Sequence, residues 1–300
     1  MYAQEIRFVP LETVSITLSS VYAFEENKCV VYYGDYGPAH EISFNKETTI
    51  TVEPFHLYTK ETKLKKKVLE RSKSFSTNVV RIVLLSKSIG IKSIQGEYRT
   101  PKDDELPENK MLIYGTSLSQ GTSTTIPEGT YPWQVARKLK MDIHNYSLAG
   151  MCLLEKEVIN FIVSLPNEYS LIILEPSTNL LAQGYDVKEF TKRCEYLYKK
   201  MRNRWTDAVI LFIDLFPSLF DFGLTGEFVL NSKPDIYRDS LKELVERFDD
   251  KDCHMVESKK LLSTHNLCID LLHPTTLGYV EISNNLYNLI VQNKWIKEVE

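Results

Sequence analysis

A short apolar run that stops at a glycine and a cluster of hydroxyl residues constrains this chain more than any other stretch. Met111, Leu112, Ile113 and Tyr114 form a run of the kind that makes a strand buried in a parallel sheet. Gly115 breaks the run, and Thr116, Ser117, Ser119 and Gln120 follow before a second break at Gly121. A strand ending this way presents small polar side chains at the carboxyl edge of its sheet, where open α/β folds bind ligands. An ordinary strand-to-loop turn would read the same, so the weight falls on what surrounds the stretch.

Downstream, extended and helical patterns alternate. Trp133–Leu139 looks helical, Asp142–Leu148 extended, and Leu153–Val163 amphipathic and helical. Leu171–Leu174 is the next buried strand and Val187–Arg204 the next helix. Ala208–Phe216 is apolar on both faces, Pro234–Phe248 reads as a helix, His254–Glu257 as a short strand, and Thr275–Val291 as a closing helix. Strands alternating with helices give a parallel sheet covered on both sides, because each crossover returns right-handed over a face.

Upstream the pattern differs. Val14–Leu18, Cys29–Tyr33, Thr48–Val52 and Val79–Leu85 are short runs rich in β-branched and aromatic residues, separated by turn-prone groups such as Gly34–Pro38 and Phe44–Glu47. Several such strands without a long helical pattern favour an antiparallel sandwich. The polar, proline-bounded segment Pro101–Asn109 marks the expected boundary, dividing the 300 residues into 1–107 and 108–300. The basic stretch Lys60–Lys73 reads as a solvated loop or a lysine-protected edge, with a polyanion site as the alternative.

Composition narrows the function. A net charge of -4 gives no electrostatic case for nucleic acid as partner, and the apolar runs are too short to cross a bilayer. The opening MYAQEIRFVP has no basic region followed by an apolar core, so no secretory leader is expected and the cytoplasm is the default compartment. Five scattered cysteines without a CxxC pair suggest neither a disulfide framework nor a zinc site. Walker A, GxGxxG and HExxH patterns are missing, leaving phosphoryl transfer, dinucleotide binding and zinc proteolysis without support.

Chemistry concentrates in four places. Asp270 and His273 lie three apart before Pro274, a spacing that can set the carboxylate against one imidazole nitrogen and leave the other for a nearby serine. A surface acid and a packing histidine are the bland alternative. Asn145–Gly150 and Glu175–Asn179 follow the second and third strands. The N–H groups of Ser117 and Gly150 and the Asn179 amide would make a three-donor oxyanion hole; taken singly, Gly150 is a turn glycine and Asn179 a loop asparagine. The α/β-hydrolase elbow GxSxG does not fit, since Ser119 stands two after Ser117. Tyr131 and Trp133 could form an aromatic platform for a sugar, or Trp133 could pack its helix onto the sheet.

In this order and spacing the four segments resemble the blocks of the SGNH hydrolases, or GDSL esterases. Gly115-Thr116-Ser117 resembles the nucleophile block, Asn145–Gly150 the second, Ser177-Thr178-Asn179 the third and Asp270-Leu271-Leu272-His273 the last. The wording GTSLSQG…YP further resembles a branch with an N-terminal β-sandwich that includes deacetylases and natural-product acyltransferases. The resemblance implies an α/β fold: a flavodoxin-like three-layer α/β/α domain with a parallel sheet, preceded by a jelly-roll-like β-sandwich. It implies a serine esterase with Ser117, Asp270 and His273 as catalytic residues and Ser117, Gly150 and Asn179 as oxyanion donors, acting without metal or organic cofactor. The substrate would be a small-molecule or carbohydrate ester carrying a short acyl group, and the chain could act as a homo-oligomer. An acyltransferase and a non-catalytic carbohydrate-binding protein are the alternatives. Departures from the family pattern are Thr116 in place of an acidic residue, Ser177 in place of the third block's glycine, and Ser147 at a position often held by glycine.

Overall fold

The computed structural model describes residues 4–22, 26–55, 74–86, 88–224 and 233–296. The stretch Lys60–Lys73 lies outside the described residues. The chain divides into two compact units, Met1–Glu108 with Lys140–Asp142, and Asn109–Leu139 with Ile143–Glu300.

The first unit holds eight described strands: β1 (Gln4–Pro10), β2 (Val14–Ser20), β3 (Asn27–Tyr33), β4 (Tyr36–Phe44), β5 (Glu47–Val52), β6 (Val80–Leu84), β7 (Ile89–Gln95) and β8 (Tyr98–Arg99). They form a five-stranded sheet, β4-β3-β6-β1-β8, and a three-stranded sheet, β5-β2-β7, with antiparallel pairing throughout. Along β2, Val14, Ile16 and Leu18 are fully buried while Ser15, Thr17 and Ser19 are half-buried. That alternation gives one sheet face to the core and one to solvent. The inward residues of β2 meet Val31, Val80 and Ile82 of the other sheet in one apolar cluster, which defines a β-sandwich. The segment after Arg99 is not featureless: Asp103–Glu105 make a 3-10 turn, and Glu105 takes a bidentate ion pair from Arg99 at 2.6 and 2.7 Å.

The second unit is built on β9 (Lys110–Gly115), β10 (Asp142–Asn145), β11 (Leu171–Glu175), β12 (Val209–Ile213) and β13 (Cys253–Val256). Their order, β10-β9-β11-β12-β13, is that of a flavodoxin-like sheet, and the pairs β9–β11, β11–β12 and β12–β13 are parallel. The helices are α1 (Ser117–Gln120), α2 (Tyr131–Lys138), α3 (Lys156–Ser164), α4 (Ser177–Ala182), α5 (Val187–Arg204), α6 (Pro234–Arg247) and α7 (Thr276–Gln292). Leu112, Tyr114, Ile172, Leu174, Ile210 and Phe212 pack one sheet face against Ile159, Ile162, Phe190, Leu197, Tyr237 and Leu241 of α3, α5 and α6. The alternate residues Met111, Ile113, Leu171, Ile173 and Leu211 are buried just as fully, as expected of a three-layer α/β/α domain. No described helix is long and apolar enough to cross a membrane.

Two segments expected as loops, after β9 and after β11, begin instead with the short helices α1 and α4. Four and six residues are too few to show a helical period in sequence. Thr116 caps α1, accepting from Leu118 N–H at 3.4 Å, and Gly121 ends it at φ +96°. The order of connections reverses between β9 and β11, so α1 and α4 open at the switch point of the sheet.

Ile172 lies in the middle strand with no exposed surface, so Ile172→Ala should destabilise the unit by about 2–5 kcal/mol. Urea unfolding monitored on wild type and variant measures the difference, and an unchanged midpoint would refute this account of the core.

Candidate active site

The loop Cys268–His273 is built to hold a carboxylate against an imidazole. Cys268 N–H donates to the His273 carbonyl at 2.7 Å, and Leu271 N–H to the Cys268 carbonyl at 2.9 Å. Leu271 adopts φ +52°, a left-handed value that L residues rarely take, and its carbonyl accepts from Leu219 N–H at 2.6 Å. Within this loop Asp270 Oδ1 accepts from the Leu272 and His273 N–H groups, each at 3.0 Å. Its Oδ2 lies 2.7 Å from His273 Nδ1. Partial burial works against the Asp270 charge, but the bonds from the His273 ring and from the two backbone N–H groups outweigh it and hold the carboxyl below its ordinary range.

The other ring nitrogen, Nε2, lies 2.8 Å from Ser117 Oγ. The structure therefore brings Ser117, His273 and Asp270 into one line of hydrogen bonds, with the carboxylate fixing the tautomer that leaves Nε2 free to accept. Ser117 itself is nearly buried, at 6% exposure, as the first residue of α1.

The three expected donors can be placed by the bonds of their segments. Among the described residues, the N–H groups of Ser117 and Gly150 and the Asn179 side-chain amide have no acceptor. Asn179 Oδ1 accepts from Cys152 N–H at 3.1 Å, which settles its orientation and leaves its NH₂ group as the exposed edge. Gly150 sits at φ +72°, with open space where a side chain would start. The loop carrying it is tied to α1 twice: Ala149 N–H donates to Gln120 Oε1 at 2.6 Å, and Asn145 Nδ2 to the Ser119 carbonyl at 2.8 Å.

Glu175 carries no site signature in the sequence. It ends β11 with no exposed surface, and its Oε2 accepts from Thr116 N–H at 2.8 Å, Thr116 Oγ1 at 2.6 Å and Ser119 Oγ at 3.1 Å. The signal available in the sequence is one charge closing the apolar run LIIL. Gly115 is its register partner, and a Cβ there would come within 2.9 Å of Glu175 Oε2 and 2.6 Å of Ser119 Oγ. Only glycine lets the two strand ends close. Of the two readings weighed for Tyr131 and Trp133, the sugar platform does not extend to Tyr131, which is fully buried and bonded through its hydroxyl to Ser119 Oγ at 2.6 Å.

Such a sheet, with a serine, a histidine and an acid joined at its switch point, defines an α/β serine hydrolase. The chain belongs to the GDSL-like lipase/acylhydrolase family, whose model matches residues 108–291, and is an enzyme acting on acyl esters as an esterase or an acyltransferase. Compared with curated proteins by sequence, it finds no match. Among solved structures it is similar to a family two carbohydrate esterase from Clostridium thermocellum in complex with cellohexaose, at 14% identity over 97% of this chain and 92% of that one, with a TM-score of 0.64. It is similar to a salicylyl-acyltransferase from a tetracycline biosynthetic pathway, at 14% identity over 99% and 83% of the two chains, with a TM-score of 0.71. It is also similar to an acetyl xylan esterase from the rumen bacterium Butyrivibrio proteoclasticus, at 10% identity over 97% and 90%, with a TM-score of 0.63.

Burial raises the Glu175 carboxyl to about 7, against the opposing hydrogen bonds from Thr116, Ser119 and Thr178. Unfolded, the same group releases its proton near 4.5. Between those values the folded state binds the extra proton, so this group's contribution favours folding least above about pH 7 and most below about pH 4.5. The difference is roughly 3 kcal/mol. Thermal melts from pH 5 to pH 8 should show a stability decline in wild type that is absent in Glu175→Gln; parallel curves would contradict the buried, unpaired carboxyl.

Proposed function

We propose that the protein is a serine esterase that removes a short acyl group, of the O-acetyl kind, from a carbohydrate or small-metabolite hydroxyl. The observation carrying this reading is the Asp270–His273–Ser117 line, with distances of 2.7 and 2.8 Å, together with three donors that have no acceptor among the described residues. His273 Nε2 takes the Ser117 proton as Oγ attacks the ester carbonyl, and Asp270 stabilises the imidazolium. The negative oxygen is met by the Ser117 and Gly150 N–H groups and the Asn179 amide. The bond to the leaving oxygen breaks as His273 returns its proton there, giving the free alcohol and an acyl-serine. Water then attacks, its proton passes through His273 to Ser117 Oγ, and the carboxylic acid departs. The similarity to a carbohydrate esterase and to an acetyl xylan esterase supports a sugar-borne acetyl group.

The similarity to a salicylyl-acyltransferase supports a second reading, in which a small-molecule hydroxyl replaces water in the last step. Intact-mass measurement after fluorophosphonate treatment, with hydrolysis of p-nitrophenyl esters of increasing chain length, separates these readings. One adduct on wild type, none on Ser117→Ala and a preference for acetate are expected. Labelling with negligible hydrolysis would favour the acyltransferase, and a folded protein that takes no label would refute the serine nucleophile. Asn179→Ala should lower acetate turnover about 100- to 1000-fold, the usual cost of one oxyanion donor; a change under threefold would remove Asn179 from that role.

A further inference from the structure

The proposed reaction makes no use of Glu175, yet this carboxyl group is the most heavily bonded side chain beneath the serine. Its Oε2 accepts from two groups of Thr116, the residue before Ser117, and from Ser119, two residues after it. The Thr116 hydroxyl has one proton, and at 2.6 Å from Glu175 that proton is committed to the carboxyl, so a lone pair is left to face Leu118 N–H. Ser119 is held on its other side by the Tyr131 hydroxyl. Thr178 Oγ1 lies 3.3 Å from Oε1, the other carboxyl oxygen.

We infer that Glu175 is a positioning residue for the nucleophile: it clamps the turn on both sides of Ser117, fixing Oγ against His273 and keeping the Ser117 N–H aimed out of the turn. The inference rests on the esterase reading for its kinetic consequence, not for its structural one. Replacing the carboxyl with an apolar group would take an acceptor from four buried donors, the Thr116 N–H and the hydroxyls of Thr116, Ser119 and Thr178. The turn would then relax, and a shift of about 1 Å at a reacting atom can cost roughly 100-fold in rate.

The charge on Glu175 matters as well. The ionisable groups coupled to it are the phenols of Tyr131 on α2 and Tyr279 on α7 and the Cys152 thiol after β10. All three are pushed upward by burial and stay neutral, so none compensates a carboxylate. In the structure the Thr178 hydroxyl donates to Oε1; with a proton on Oε1 that hydroxyl would turn to accept it, and the group would keep all three bonds to Oε2. Burial pushes this carboxyl up to about 7, and its ionisation would put an uncompensated charge at the base of the turn that carries Ser117.

Glu175→Gln retains an oxygen acceptor and offers Thr178 an N–H, whereas Glu175→Leu removes the acceptors. The ratio of fluorophosphonate labelling rates at Ser117, wild type over Glu175→Gln, should lie within threefold of one at pH 6 and fall above about pH 7, the dependence on His273 being common to both proteins. Glu175→Leu should label about 100-fold more slowly. Amide hydrogen exchange, which needs no reactivity, should show protection of residues 116–121 lost in Glu175→Leu and kept in Glu175→Gln, with the sheet protected in both. Superimposable pH profiles for wild type and Glu175→Gln, or unchanged exchange at 116–121 in Glu175→Leu, would overturn the inference. A wild type that takes no label would refute the esterase reading, and the exchange pattern would then decide the clamp alone. If Glu175→Leu does not fold, the pH profile of Glu175→Gln decides.

Discussion

The catalytic unit depends on how closely two strand ends approach each other. β9 and β11 run parallel to their last residues, where Gly115 stands opposite Glu175 with no room for a Cβ between them. That contact places the turn holding Ser117 directly over a buried carboxyl, and the hydrogen bonds of Thr116 and Ser119 lock it there. A larger residue at 115 would push apart the strands that define the switch point. The site would lose its geometry before losing any residue that takes part in the reaction.

Three loops are fastened to this base, each by a different device. The Gly150 loop is hung from α1 by Gln120 and Asn145. Asn179 is aligned by the backbone of Cys152, so the second and third donor segments brace each other. The Asp270–His273 loop folds on itself through Cys268 and is pinned from outside by Leu219. On α7, Tyr279 donates to the Thr122 carbonyl at 2.6 Å, joining the helix after the histidine to the loop after the serine. Rigid support of this kind lets functional groups on loops act with fixed geometry.

The sequence was most readable where a residue type and its position carried the same message. Val187–Arg204 is a helix over that span because Asp186 caps it and Phe190, Cys194, Leu197 and Met201 make a buried stripe at helical spacing. Leu171–Leu174 is a strand because an unbroken apolar run that short has no solvent face. Ser117, Asp270 and His273 stood out because such side chains are rare together at strand ends. Other features were hidden by being long-range. β1, QEIRFVP, carries charges in a strand, and what supports them there is the pairing of Glu5 with Arg7 at 2.8 Å and with Arg81, a partner 76 residues away. Glu175 was hidden for the same reason: its partners Thr116 and Ser119 are 59 and 56 residues earlier, and only the register of β9 with β11 reveals them.

Ser117 and His273 are bonded across 156 positions of the chain. On the proposed mechanism, a chain that has made the serine, the sheet and most of the helices still lacks the base that would activate the hydroxyl. Reactivity by that route would wait for the segment after β13 to be synthesised and docked. In that reading the order of the chain defers reactivity until its last loop has joined the serine.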